Sequence, residues 1–560
     1  MIKPVLVSAF THAAQAAKKA GRLQFEELPA FTIERPANPA FGDLSVNLAM
    51  LLAGEAKTSP RQAAQALIDY LQLPDNLAER VETVGPGFIH LYLQPAWLHE
   101  AVLEIHRQGE AYGHSDLGQG TPVLVEFVSA NPNGPLGIQH GRGAVLGDVL
   151  CSVLAAAGFA VSREFYVNDT ATSTQMVRFG ESLVVRYLQE LGQPIEFPED
   201  GYAGSYLIDF AQEIIARDGD TYLHAPAAER LELFTELGRE AMITWQREVL
   251  TRLGVHFDTW FRESTLFAQG KVDGTLAQLA AHGETYEAEG AVWLATTRYG
   301  DDMDRPLVRS NGRPTYLASD VAYHLEKFQR GYQILIDIWG ADHHGYIART
   351  KAAMAALGHD PDKVHVLISQ AVRLTRDGEI VAGKRKGDIA LLSELIDLVG
   401  ADAARLFFLL CSTDSELDFD LELATRNTPD NPLYDMQSAQ RRIADIQHTA
   451  RDSGVSPDPF HTDLTPLAHE AEVALIRLLV DLPDEIRTAA DLYQPHRLAR
   501  YAQDIARAIH LCVDQCPAFD DDIPAPTRAA RLTLLSAAAI TLRNALTLLG
   551  LVTVDAKSPT

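Results

Sequence analysis

Between residues 123 and 169 the chain reads as an apolar strand, "VLVEFV", a turn rich in Pro, Gly and Asn, a helix, "GAVLGDVLCSVLAAAG", and a second strand, "VSREFYVND". Two strands joined through a helix in this way lie parallel in one sheet, with a right-handed crossover between them. That unit predicts an open α/β sheet for the middle of the chain. Ligands of such sheets bind outside the carboxyl ends of the strands, where unpaired N–H groups and the helix dipole attract phosphate. The turn "SANPNGPLGIQHGRG", from Ser129 to Gly143, occupies that place. It puts His140 and Arg142 at the helix start, where a histidine either faces a ligand or caps the helix.

The remaining sequence divides around this unit, as it must, because 560 residues exceed a single hydrophobic core. Residues 1–112 predict a small α+β domain, with strand-like "GPGFIHLYL" and a polar, glycine-rich linker "RQGEAYGHSDLGQGTP" at its end. Residues 113–430 predict a Rossmann-type domain interrupted by helices such as "GSYLIDFAQEIIARDG", with strands returning at "GAVWLATT", "QILIDIWGAD" and "KVHVLIS". Residues 431–560 predict an all-α bundle. No stretch has the length and apolarity of a membrane span, and the first residues lack a signal peptide's apolar core, so a cytoplasmic protein is expected.

Cys151, Cys411, Cys512 and Cys516 are too few and too scattered for a disulfide scaffold or a four-cysteine zinc site, and no metal site is assigned. A formal net charge of −27 argues against general nucleic-acid binding, which rests on a surplus of Lys and Arg. Any nucleic acid must be gripped by shape and by a few clustered arginines; Arg441, Arg442, Arg497, Arg500 and Arg507 on the helical bundle are candidates, or else lie on solvated helix faces.

Three further stretches carry chemistry. In "RDGEIVAGKRKGD", Lys384, Arg385 and Lys386 lie between Gly383 and Gly387, a cationic loop that could meet a polyphosphate or could be a solvated hairpin. In "PTYLASDVAYHLEKF", Tyr316 and Asp320 share one face of a helix, and a carboxylate beside an aromatic ring can grip a guanidinium. In "WGADHHGY", Asp342, His343 and His344 follow an apolar strand, but adjacent side chains diverge and no third ligand is evident, so a metal is rejected.

With "VEFVSANPNGPL", "YVND", "PEDGYAGSYLIDFA", "LGVHFDTWFRES", "PTYLASDVAYHLEKF", "WGADHHGY" and "DNPLYDMQSAQRRI" in this order, the chain resembles the class I arginyl-tRNA synthetases over nearly its whole length. The resemblance implies a tRNA-contacting amino-terminal domain, a Rossmann-type catalytic domain and an anticodon-binding bundle. It also implies ATP-dependent activation of L-arginine and transfer to tRNA-Arg, with magnesium accompanying ATP, in a monomer. Carried over, Ser129 and Asn131 meet the amino and carboxylate end of arginine. Tyr316, Asp320 and Glu263 meet its side chain, and His343 lies at a polar substrate position. His140 and Lys384 are the implied catalytic groups, and Gly137, Gln139, His140, Lys384, Arg385 and Lys386 the ATP-binding set.

The two ATP motifs depart from the family pattern. The usual His-x-Gly-His reads Gly137-Ile138-Gln139-His140, and the usual Lys-Met-Ser-Lys reads Val381-Ala382-Gly383-Lys384. Losing one charge-assisted donor costs about 1.5–3 kcal/mol, or roughly tenfold to a hundredfold in rate. Two alternatives therefore stand beside a working ligase: a catalytically impaired or inactive paralogue that binds arginine or tRNA, and an adenylating enzyme with another acceptor.

Overall fold

The computed structural model describes residues 2–36, 38, 41–170, 174–381, 391–520 and 522–553. Lys384, Arg385 and Lys386 lie outside the described residues.

The first strands, β1 (Ile33–Glu34), β2 (Leu44–Val46), β3 (Ala78–Val84) and β4 (Phe88–Leu93), form an antiparallel sheet in the order β1-β2-β4-β3. Residues along β4 are mostly buried, in the core that also holds Leu6, Phe10 and Leu67 of the surrounding helices. β3, "AERVETV", was not legible as a strand because no apolar alternation marks it and none of its residues is buried.

The central sheet is built from β5 (Pro122–Glu126), β6 (Ala160–Val167) and β7 (Thr259–Arg262). It is completed, after a separate meander β8 (Thr285–Ala288), β9 (Ala291–Leu294) and β10 (Arg305–Val308), by β11 (Ile334–Gly340) and β12 (Val364–Ser369). Its order is β12-β11-β5-β6-β7, and all pairings are parallel. β5 and β6 are the two strands of the expected crossover unit, joined by the helix Ile138–Ala156. The expected strand at "GAVWLATT" exists as β9 but pairs antiparallel with β8 and β10, so it does not belong to the parallel sheet. Helices Thr174–Glu190, Tyr206–Asp218 and Ala227–Arg252 form the expected helical insertion, with their own core around Phe179, Leu183, Tyr187 and Phe234.

β13 (Val372–Arg376) and β14 (Glu379–Ile380) make a hairpin, and β15 (Leu417–Asp420) adds to it in parallel. From Pro432 to Leu548 five helices follow, Pro432–Asp452, Glu470–Val480, Leu482–Asp491, His496–Gln515 and Ala525–Leu548, with no strand among the described residues.

The glycine-rich segment expected to be a linker is pinned at its start. Asn544 Nδ2 donates to the carbonyls of Gly109 and Tyr112, and the Tyr112 hydroxyl donates to the carbonyl of Leu479. A second tie crosses the middle of the molecule. The Arg405 guanidinium, 1 % exposed, donates to Asp148 Oδ2 at 2.6 Å and to the carbonyls of Leu253 and Leu549. Asp148 sits on the helix Ile138–Ala156, and Leu549 caps the last helix. A buried guanidinium is tolerated only when its donors are met, and here three separate parts of the chain meet them.

Candidate active site

The carboxyl ends of β5, β6 and β11 open into two adjoining cavities. The first, about 350 Å³, is lined by Ser129, Glu263, Tyr316, Asp320 and His343, together with Glu126, Tyr166, His324, Trp339 and Tyr346. The second, about 510 Å³, is lined by Ser129, Asn131, Gln139, His140 and His343. Both volumes suit a small-molecule ligand. Residues spread from 129 to 343 in the sequence thus converge, and Ser129 and His343 border both cavities.

Carboxylates line the first cavity. The helix Tyr316–Gln329 starts at the sheet's carboxyl end, so Tyr316, 67 % exposed, stands at the mouth and Asp320 lies one turn deeper. Thr350 Oγ1 donates to Asp320 Oδ2 at 3.3 Å. Glu263, at the start of the helix following β7, is buried and accepts from Thr170 Oγ1 at 3.0 Å. Burial pushes the Glu263 carboxyl above its usual range against the pull of hydrogen bonds from Ser319, Thr170 and Tyr166. A guanidinium beside it would restore the charged form.

Beneath the cavity, three acids stand in one row. Asp337 on β11 is in register with Glu126 on β5, which is in register with Glu164 on β6, so their side chains share a face of the sheet. Neighbouring carboxylates at strand spacing repel by roughly 3 kcal/mol at an effective dielectric of about 20. The helix Tyr316–Gln329 and its cap answer them. Lys327 Nζ contacts Glu126 Oε2 at 2.6 Å and Asp337 Oδ1 at 2.7 Å, and Arg330 spans both oxygens of Glu164 at 2.6 and 2.8 Å. Tyr323 donates to Glu164 Oε1, and His324 Nε2 lies 2.9 Å from Asp337 Oδ2. A charged residue inside each of "VLVEFV", "ILIDIW" and "SREFYV" is the sequence signal for this row.

His324 links the row to the cavity. Its Nδ1 lies 3.4 Å from Asp320 Oδ1. Burial works against charge on the imidazole, but the carboxylates of Asp320 and Asp337 outweigh both that and the nearby Lys327, holding its pKa up to about 10. A histidine raised on folding stabilises the fold fully below its unfolded value and loses that contribution as pH rises through the folded one. The melting temperature of wild type is therefore expected to exceed that of His324→Gln most in mildly acidic buffer, with the gap closing as pH rises through about 10; a pH series of melting curves checks this.

The second cavity has residues of the turn Ser129–Gly143 as part of its wall. The Gly137 amide donates to His140 Nδ1 at 3.0 Å, so the imidazole caps its own helix and carries its proton on Nε2. Capping and cavity lining, alternatives in the sequence, coexist. Burial lowers the His140 pKa, keeping the ring neutral near neutral pH. Gln139 is exposed on the cavity wall, while Gly137 pairs through its backbone with Leu391, where the described chain resumes after residue 381. Arg142 does not face a ligand: it is fully buried and donates to the carbonyls of Gln370, Ser412 and Ser415. The Ser129 hydroxyl points inward, donating to Glu126 Oε1 at 2.8 Å and accepting from the Tyr166 amide at 3.1 Å. One lone pair remains for a substrate. On the bundle, Arg442, Arg497 and Arg507 each pair with a carboxylate, of Asp514, Glu485 and Asp504 respectively.

This architecture has known counterparts. The sequence model of the arginyl tRNA synthetase N terminal domain matches residues 8–93, that of the class I (R) tRNA synthetase catalytic domain residues 101–407, and that of the DALR anticodon binding domain residues 436–556. The arginine–tRNA ligase of Carboxydothermus hydrogenoformans is 44% identical over 96% of this chain and 96% of its own. That of Moorella thermoacetica is 44% identical over 97% of each. The arginyl-tRNA synthetase structure from Thermus thermophilus superposes with a TM-score of 0.76 at 22% identity, over 99% of this chain and 100% of that one, which is a likeness of fold. Matched in all three of its parts and along almost its full length, the chain belongs to the arginyl-tRNA synthetase family.

Proposed function

We propose that the paired cavities activate L-arginine with ATP and pass it to tRNA-Arg. The chain is an arginine–tRNA ligase by its kinship with curated ligases over nearly the whole sequence, and ATP is a substrate of its class. The observation that carries the residue assignment is the junction of an acidic, aromatic cavity with one walled by a helix amino end. In the first, Asp320 and Glu263 take the guanidinium and Tyr316 stacks on it. Asn131 and Ser129 hold the amino and carboxylate end at the boundary, where His343 also lies. A carboxylate oxygen of arginine attacks the α-phosphorus of ATP, pyrophosphate leaves, and a mixed anhydride forms. The 3′-terminal ribose hydroxyl of tRNA then attacks the carbonyl carbon and AMP leaves.

His140, as a neutral Nε2–H donor, stabilises charge on the phosphate oxygens, with Lys384, Arg385 and Lys386 as its cationic partners and Gly137 and Gln139 bordering ATP. Among the described residues no three His, Cys, Asp or Glu side chains are grouped to hold a metal ion, so we assign magnesium to the phosphates of ATP. Among the described residues no helix is long and apolar enough to cross a membrane, and we infer a cytoplasmic monomer divided at residues 1–112, 113–430 and 431–560. The silent-paralogue reading is not favoured, because the catalytic-domain model matches residues 101–407 and the curated relatives are ligases.

Charging of tRNA with labelled arginine by the purified chain is the test. Charging well above that of a His140→Ala/Lys384→Ala variant is expected; charging no greater than this control would overturn the assignment.

A further inference from the structure

The strand that leads into the active site ends in backbone that its residues resist. The Ser129 amide donates to the Phe127 carbonyl at 3.0 Å, closing a three-residue turn around Val128. Val128 has φ 69° and Ser129 φ 41°, the left-handed region that a β-branched residue rarely enters. Two left-handed residues in succession are strained backbone that persists only where surrounding contacts over-determine it.

Those contacts form one chain of hydrogen bonds. The Ser129 hydroxyl is held from one side by the Tyr166 amide and from the other by Glu126 Oε1. Glu126 is itself held through Oε2 by Lys327, which is 0% exposed. Lys327 is anchored by Asp337 and lies 4.3 Å over the Tyr323 ring. Val128 and Ser129 border both cavities, so a shift of this turn misplaces the arginine end and the phosphate end together. We infer that Lys327 is a positioning residue for arginine activation: through Glu126 and Ser129 it holds the strained turn at Val128 in the geometry that joins the two substrate cavities. Lys327 borders neither cavity, and its action is wholly through its partners.

This inference rests on the function proposed above. Removing Lys327 alone would leave Glu126 and Asp337 buried without their cation and could unfold the chain, so the test removes one charge of each sign. Lys327→Met/Asp337→Asn keeps the net charge of the row, and Arg330 still pairs with Glu164. Arginine-dependent ATP–pyrophosphate exchange is measured for wild type, this double variant, Val128→Gly, and the triple variant combining them.

The double variant is expected to lose 10- to 100-fold in kcat with a smaller rise in the KM for arginine, because misalignment of bound reactants acts mainly on the transition state. Glycine adopts φ 69° without strain, so the triple variant is expected to recover at least tenfold of the lost kcat. Because glycine also relieves strain at φ 69°, kcat is measured well below the melting temperature of every variant, where a merely structural role for Lys327 leaves kcat per folded molecule unchanged. An unchanged kcat in the double variant overturns the inference, as does a loss that Val128→Gly fails to recover. Wild type that exchanges nothing with arginine would instead overturn the proposed function.

Discussion

Asp320→Asn is expected to lower kcat/KM for arginine by about 100-fold in ATP–pyrophosphate exchange, while the KM for ATP stays within about threefold. The substitution keeps the shape of a side chain that is 33% exposed but removes a carboxylate that holds His324 charged, so melting temperature is read beside the kinetics to separate the two effects. In the proposed pocket the substitution removes one partner of a charge-assisted hydrogen bond to the guanidinium, worth about 1.5–3 kcal/mol, and part of the negative field of the cavity. The predicted loss sits at the upper end of that range because the other carboxylate, Glu263, is buried and pushed toward its neutral form. A cation arriving beside it favours its charged form, so weakening the cation's hold at Asp320 weakens it at Glu263 too. Steady-state exchange kinetics at saturating ATP, varied in arginine, read this directly. An unchanged kcat/KM would remove Asp320 from the arginine pocket.

The second large effect runs the other way. Gly137→His with Gln139→Gly is expected to raise kcat/KM for ATP by about tenfold or more, by restoring a donor worth about 1.5 kcal/mol and clearing the wall of the phosphate-side cavity. Gly137 has φ −83° and ψ 172°, extended backbone that any side chain accepts. A Cβ placed there meets only the Gln139 side chain, at 3.3 Å to its Oε1, and the second substitution removes that neighbour. Gly137→His alone should therefore gain less than the pair. A glycine in the first helical turn costs up to about 1 kcal/mol of stability, so a slightly lower melting temperature is expected alongside the gain. Activity that stays level or falls would mean that the turn places ATP by a different set of contacts.

The parts of the molecule that could be read from its sequence are those whose partners are near in the chain. β5, the helix Ile138–Ala156 and β6 are consecutive, and their apolar pattern and punctuation named them all. β7 escaped because its four half-buried residues follow the whole helical insertion and show no alternation. β9 was recognised as a strand but placed in the wrong sheet, since strand pattern does not encode which edge a strand meets. At the site, Tyr316 and Asp320 were legible from their spacing on one helix. Ser129, Asn131, Glu263 and His343 entered by family resemblance, and the structure brings them to the same two cavities. The row of Asp337, Glu126 and Glu164 was not legible as a row, because register between strands separated by helices is a property of the folded sheet alone.

Arg405 bears on how such a molecule can be recombined. Its guanidinium donates at once to Asp148, on the helix that begins at the phosphate-side cavity, and to the carbonyl of Leu549, at the end of the last helix. Gly550 follows in a left-handed conformation, and a Cβ there would fall 2.1 Å from the Arg405 guanidinium. The terminal bundle is therefore not an exchangeable cassette. A chimera that grafts a foreign reading head after residue 430 inherits a buried cation with an empty socket, unless the graft ends in a free carbonyl and a glycine at the same place.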